Sequence, residues 1–215
     1  MPKKIIDLYS DTKTKLTVDM RRFMAEAEVG DEQYDEDPTV LRLCEMVCEF
    51  LGKESAVFLP SGTMCNEIAI AVHCRPGDEV ICDREAHIVH YEAGGPATLS
   101  GAMIRPVDGK CGVFTGDHVR RAFRTASRYS PRSRLVEVEQ TANLGGGTVW
   151  PIESIRDVVQ ASRSLGLVLH MDGARLFNAA VASGMPKKIF GSKWIVTSRR
   201  QIEVAFSWEK LISRV

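Results

Sequence analysis

This sequence predicts an α/β fold, with a mostly parallel sheet sandwiched in three α/β/α layers, and three observations predict it. Short β-rich runs alternate with longer segments of helical periodicity along the chain. Proline and glycine punctuate the junctions, as at Pro76-Gly77 and Gly94-Gly95. Two of the helical segments open on proline, at Pro38 and Pro151, where a missing N–H costs nothing.

Taken in order, Asp37 offers an N-cap and Pro38 the first helical position. Val40, Leu41, Cys44, Val47, Cys48 and Leu51 then recur at helical spacing until Gly52. SAVFLP (55–60) reads as a strand, and SGTMCNEIAIAVHC (61–74) resumes as a helix. After the Pro76-Gly77 turn, DEVICD (78–83) is a strand, and AHIVHYEAGG (86–95) is a short helix ending at the paired glycines. GAMIRPV (101–107) is a strand, GDHVRRAFRTA (116–126) a helix, RLVEVEQT (134–141) a strand and GGGTVW (145–150) a loop. PIESIRDVVQASRSLG (151–166) is a helix, GLVLHMD (166–172) a strand, and ARLFNAAVASG (174–184) the helix that follows.

In a parallel sheet, ligands gather beyond the carboxyl ends of the strands. That rule puts three features on one rim: Ser61-Gly62-Thr63 after SAVFLP, His87 after DEVICD, and Asp172 after GLVLH. Ser61, Gly62 and Thr63 open a helix, where backbone N–H groups and the dipole suit a phosphate; equally, Ser61 is an ordinary cap. His87 suits stacking on a flat ring or a satisfied surface position. Asp172 is the strongest of the three, because a carboxylate costs several kcal/mol, roughly, to bury without a partner. An ion pair with Arg175 and a ligand are the two readings open for it.

Composition narrows the class. The 215 residues are 44% hydrophobic and 26% charged, ordinary for one large globular domain. Lys+Arg 28 balance Asp+Glu 28, so no global charge draws the chain to nucleic acid or an anionic membrane. No apolar run approaches the roughly 20 residues that span a bilayer. Six cysteines without C-x-x-C spacing, and no signal-peptide pattern at the start, predict a reducing, cytoplasmic setting. Cys44 and Cys48, four apart on a helix, are either small buried groups or a metal pair, and no metal site is predicted. The charge is uneven: from Lys187 onward there are seven basic and two acidic residues, against 21 and 26 before it. Two of the three tryptophans also fall there, so 187–215 reads as a divergent basic tail on a domain of residues 1–186.

Six blocks in order carry a more specific resemblance: DLYSDTKTKLT (7–17), GDEQYDEDPTV (30–40), SGTMCNE (61–67), CDREAHIVHYEAGG (82–95), EQTANLGGGTVWP (139–151) and HMDGARLFNA (170–179). Together they resemble threonine aldolase, a pyridoxal 5'-phosphate (PLP) enzyme of the aspartate-aminotransferase fold. The resemblance implies retro-aldol cleavage of L-threonine or L-allo-threonine to glycine and acetaldehyde, and a homodimer or homotetramer. Asp172 would hold the protonated pyridine nitrogen and His87 would stack on the ring. Ser61, Gly62 and Thr63 would bind the phosphate, and Ser10 and Arg175 the substrate carboxylate. Tyr34 and Glu92 belong to motifs that line the site.

The pattern also departs from the family. Glu139-Gln140-Thr141-Ala142-Asn143 lacks the histidine of the family's Glu-Asn-Thr-His-Asn, and Asp35 stands where glycine is usual. No Ser-Lys-Gly motif follows Asn178, so the Schiff-base lysine is unassigned; Ser192-Lys193-Trp194 and Lys210 have other surroundings. The family's C-terminal small domain is expected to be missing, and residues 187–215 to be of foreign origin. The resemblance therefore implies an active lyase or, alternatively, an inactive homologue that binds PLP without a covalent bond or serves as an interaction subunit.

Overall fold

Four parallel strands form the sheet: β1 (Asp78–Asp83), β2 (Met103–Val107), β3 (Arg132–Glu139) and β4 (Val168–Asp172), in the order β2-β1-β3-β4. The computed structural model describes residues 6–7 and 9–184. The tail from 187 to 215, with Lys193 and Lys210, lies outside the described residues, as does the expected domain boundary at 186.

Strand parity decides what each face of the sheet becomes, because successive side chains point to opposite sides. Ile81, Val136, Val138, Leu169 and Met171 fall on one face and enter the larger core cluster. Val80, Cys82, Leu135 and Val168 fall on the other, in a smaller cluster with Ile70 and Ile88. Parallel pairing in register sets Glu137 opposite His170 and Glu139 opposite Asp172. These four share the parity of Leu135 and Val168, so a polar stripe runs along the second face to the carboxyl end of the sheet.

Eight α-helices are described. On the first face lie α6 (Gly116–Ala122) and α7 (Ile152–Ser164), packed on each other. α7 buries Ile152, Ile155, Val158 and Val159, a stripe at helical spacing, and its buried Ser162 hydroxyl donates to the Val158 carbonyl at 2.7 Å. Trp150, 1% exposed, meets Phe114 edge to face with centroids 5.0 Å apart. α2 (Pro38–Leu51) contributes Val47 and Leu51, and α8 (Leu176–Ser183) contributes Leu176 and Ala180 to the same cluster. The second face is covered by α3 (Gly62–His73), which packs on α5 (Gly95–Ser100) and over β3 and β4. α1 (Val18–Glu26) and the single-turn α4 (His87–His90) complete the set; α1, capped by Thr17, was not anticipated from the sequence.

Several expectations hold in detail. Asp37 accepts from the Val40 N–H at 2.9 Å as the cap of α2, and Gly52 closes it in the left-handed region. Asp35 has φ 56, where aspartate is better tolerated than most residues.

Two expectations do not hold. SAVFLP is not a strand; residues 55–59 pair with no other strand among the described residues, and an apolar run without a ladder partner has nowhere to place its N–H and C=O groups in a sheet. The helix of 86–95 stops at His90, and Gly94, at φ 75, is the N-cap of α5 rather than the end of the preceding helix. Glycine marks a break without saying which side of it the helix lies on. At Gly95 there is a packing reason as well: a Cβ there would collide with the Glu67 carboxylate.

Candidate active site

The carboxyl edge of the sheet gathers a connected set of polar groups. Asp172 ends β4, and its Oδ1 accepts from the Ala174 N–H at 2.9 Å while Oδ2 accepts from Asn66 Nδ2 at 2.9 Å. Arg175 does not pair with it. The guanidinium of Arg175 instead holds Asp11 through Nε at 2.8 Å and Nη2 at 3.0 Å, so the ion-pair reading of Asp172 is corrected. The local chain sets this outcome: Asp172 turns back on the N–H two residues ahead, and a partner 164 residues away fits the flat guanidinium fork better.

Asn66 joins Asp172 to the helix-borne groups. Its Nδ2 also donates to Glu92 Oε1 at 2.9 Å, and its Oδ1 accepts from His170 Nε2 at 2.9 Å. Glu92 Oε1 in turn accepts from His87 Nδ1 at 2.6 Å, and the Thr63 hydroxyl is a further donor to Glu92. Thr63, Asn66, Glu92, His87, His170 and Asp172 thus form one hydrogen-bonded cluster. Sequence reading had assigned no role to Asn66 or His170. Strand parity in GLVLHMD would have put His170 on the Asp172 face, but nothing local in an asparagine inside a helix reveals its partners.

Charge is tuned across the cluster. The hydrogen bond that His87 donates to Glu92 raises the His87 pKa against the opposing effect of burial, with Asp172 and Glu139 adding to the rise. Burial works to raise Glu92, yet hydrogen bonds from His87, Asn66 and Thr63 outweigh it and hold the carboxyl below its ordinary range. Burial lowers His170, which stays neutral with Nε2–H facing Asn66 and Nδ1 without a partner. Glu139 is pushed up to about 7, by burial first, although its Oε2 accepts from the Asn143 N–H at 3.0 Å. Glu67 also rises to about 7, through burial and then the nearby Glu92 charge, and neither of its oxygens finds a partner. Fully buried Glu137, whose oxygens find no hydrogen bond among the described residues, is driven well above the ordinary range by burial first and then by the charges of Glu139 and Asp172. Glu67, Glu137 and Glu139 are therefore all pushed toward their protonated forms, whereas Glu92 is held ionised.

The remaining candidates are placed as follows. Ser61 caps α3, its hydroxyl accepting from the Met64 N–H at 3.1 Å, so the capping reading is correct. Capping leaves the N–H groups of Gly62 and Thr63 pointing out of the helix, and a Cβ at Gly62 would meet nothing within 4 Å. The phosphate reading therefore stays open beside the cap. Ser10 caps a short 3-10 turn, Asp11–Lys13, and reaches the site only through its neighbour Asp11 on Arg175. Tyr34 is not brought to the cluster: it sits on another such turn, Glu32–Tyr34, 73% exposed. Ala142, in the place of the expected histidine, is buried in the larger core cluster and offers no proton-transfer group.

This geometry can be set beside known proteins. The profile of the family described as Beta-eliminating lyase matches residues 7–194. The chain belongs to that family. Within the beta-eliminating lyases it is 44% identical over 189 residues to a probable low-specificity L-threonine aldolase 2 of Arabidopsis thaliana, a match covering 86% of this chain and 53% of the relative. It is 40% identical over 185 residues to the low specificity L-threonine aldolase of Escherichia coli, covering 86% and 55%. A solved structure of Leishmania major threonine aldolase superposes with a TM-score of 0.74 at 20% identity, covering 86% of this chain and 55% of that one, which shows the shared fold. The chain spans about half the length of these curated relatives.

The donor set fits PLP. Asp172 is a carboxylate with spare acceptor capacity beyond its two hydrogen bonds, on a rim that also carries the outward N–H groups and open space at Gly62. His87, partly buried, is tied to the same network through Glu92 and meets Tyr91 at a centroid distance of 5.2 Å. Among the described residues no helix is long and apolar enough to cross a membrane.

Proposed function

We propose that this chain carries the PLP-binding part of a carbon–carbon lyase that cleaves L-threonine and L-allo-threonine to glycine and acetaldehyde. The observation that carries the reading is Asp172, free of Arg175 at the carboxyl end of β4 and tied through Asn66 and Glu92 to His87. The relatives named L-threonine aldolases support the substrate class.

When bound, PLP supplies an electron sink for charge that develops at the substrate Cα. This chain's residues make that sink effective and aim it. Asp172 would keep the pyridine nitrogen protonated by facing it with a negative charge. His87 would cover one face of the ring and exclude water there. The N–H groups of Gly62 and Thr63, with the Ser61 and Thr63 hydroxyls, would take the phosphate at the positive end of the 12-residue helix α3.

Arg175 and Ser10 would fix the substrate carboxylate, and so the orientation of the bond to be broken. Asp11 holds the Nε edge of the Arg175 guanidinium, which leaves the Nη1 edge for that carboxylate. The β-hydroxyl must lose a proton as the carbon–carbon bond breaks, while the bonding pair stays with Cα. With Ala142 in the histidine position, the neutral form of the His87 ring would be the group of the cluster to accept it.

A homodimer or homotetramer agrees with Tyr34, which reaches a site only if one on another copy takes it. A cytoplasmic location agrees with six cysteines, none of which forms a disulfide among the described residues. The reading is tested by incubating purified protein with PLP and L-threonine or L-allo-threonine and following acetaldehyde release. Borohydride treatment before peptide mapping then reports any lysine that carries the cofactor. Acetaldehyde formed with PLP and lost in D172N supports the lyase; no acetaldehyde from either substrate contradicts it.

A further inference from the structure

Asn66 is 4% exposed in the middle of α3, yet every polar capacity of its amide that geometry can use is directed at the site. One Nδ2 hydrogen goes to Asp172, the other to Glu92, and Oδ1 accepts from His170. An amide has two donor hydrogens, so this arrangement fixes its orientation: turned over, it would set oxygen against two carboxylates. His170 locks the third corner, since its Nε2–H must face Oδ1. These contacts join residues 26, 106 and 104 positions away, on α3, the segment after α4, and β4.

We infer that Asn66 is a positioning residue whose amide aims the Asp172 carboxylate at the cofactor nitrogen and, through Glu92, holds the His87 ring parallel to it. The assignment rests on the cofactor reading above and deepens it. Among the described residues Asp172 has no positive partner in its hydrogen bonds, and the Ala174 N–H and the Asn66 amide fix its rotamer. Glu92 reaches His87 with the same oxygen that Asn66 holds, so a shift of the amide moves both sides of the ring position together. A hydrogen bond to a charged group is worth about 1.5–3 kcal/mol, so its loss should be felt at the ligand about tenfold or more.

The test uses the full chain and 4'-deoxypyridoxine 5'-phosphate, a cofactor analogue without the aldehyde, so no lysine is needed. N66L removes the donors at similar volume. Binding is expected to weaken about tenfold, and the bound ring nitrogen, followed by its NMR shift, should lose its proton at lower pH than in wild type. Wild-type affinity and an unchanged nitrogen titration in N66L would overturn the assignment.

A wild-type chain that does not bind the analogue overturns the cofactor reading instead, and a ligand-free measurement then decides the Asn66 geometry. In that measurement the His87 ring of N66L titrates lower than in wild type, because Glu92, no longer held by the amide, leaves the geometry of its 2.6 Å bond to His87, the largest cause of the His87 rise. His87 is faced by Glu92, Asp172 and Glu139, and none of these is altered in N66L. An unmoved His87 titration would contradict the linkage. Should N66L not fold, the Asn66 amide signals of wild type and D172N decide: a shift supports the contact, and identical signals overturn it.

Discussion

On the side of the sheet covered by α7, strands β3 and β4 present Val136, Val138, Leu169 and Met171, all within the larger core cluster. On the side covered by α3, the same two strands present Glu137, Glu139, His170 and Asp172. The backbone is common to both sides, so only parity separates a dry core from an acid-rich cluster. On the first side, burial of each large apolar group contributes about 1.5–3 kcal/mol and demands no partner. On the second, beside the apolar Leu135 and Val168, the buried polar groups include hydrogen-bonded ones, such as Asn66 and Glu92, and acids pushed toward their protonated form, such as Glu67 and Glu137. A fold kept only for stability would have made both sides alike; the second side gives up stability where a ligand needs charge and hydrogen-bonding groups.

Exchanging the rules between the two sides should have the largest effect. Val138→Glu puts a bulky carboxyl into the packed apolar cluster that holds Trp150, and should cost more than about 4 kcal/mol, seen in urea unfolding or as failure to fold. Glu137→Leu, one residue away, should be neutral or stabilising, because it removes an unpartnered buried acid. If the two variants cost the same, the contrast between the faces is wrong.

Glu67→Gln sharpens the comparison through pH. The folded pKa of about 7 lies above the ordinary 4.5, so the contribution of Glu67 is intact below 4.5 and declines as pH rises toward 7. Replacing it should flatten that decline and stabilise the chain above about pH 7 by up to about 3 kcal/mol. Thermal unfolding of both proteins across this range checks it; an unchanged slope would exclude Glu67 as its source.

Smaller effects are expected at the rim. Glu92→Gln should lower the His87 titration, since the hydrogen bond to Glu92 is the largest cause of its rise. NMR of the imidazole proton reads this directly. Asp11→Asn should cost no more than about 1 kcal/mol in stability, because its pair with Arg175 is only partly shielded from water. A much larger loss would show that the N-terminal segment is held on the domain by this pair alone.

Much of this architecture was legible in the chain. The Asp37-Pro38 start of α2, its Gly52 end and the four paired strands follow from caps, turns and apolar runs, which are local signals. SAVFLP failed because a short apolar run says that a segment is buried or extended, whereas a strand also needs a neighbour. Gly94-Gly95 failed because glycine suits both the end of one helix and the entry to the next. At the site, Asp172 and His87 were found from their places after strands, and Thr63 from its place at the start of a helix, although the run before it is not a strand. Asn66 was not, since its meaning lies in three partners brought by the fold, and the Asp11–Arg175 pair was hidden for the same reason. The Asp172 carboxylate looked in need of Arg175 only while the two were judged by adjacency.

The central claim is that Asp172 exists to hold a protonated ring nitrogen. Binding 4'-deoxypyridoxine 5'-phosphate labelled at that nitrogen to wild type and to D172N tests it most directly. The account predicts a nitrogen protonated through neutral pH on wild type, and on D172N a deprotonated one with affinity at least about tenfold weaker. Equal affinity and the same protonation state on both proteins would contradict it.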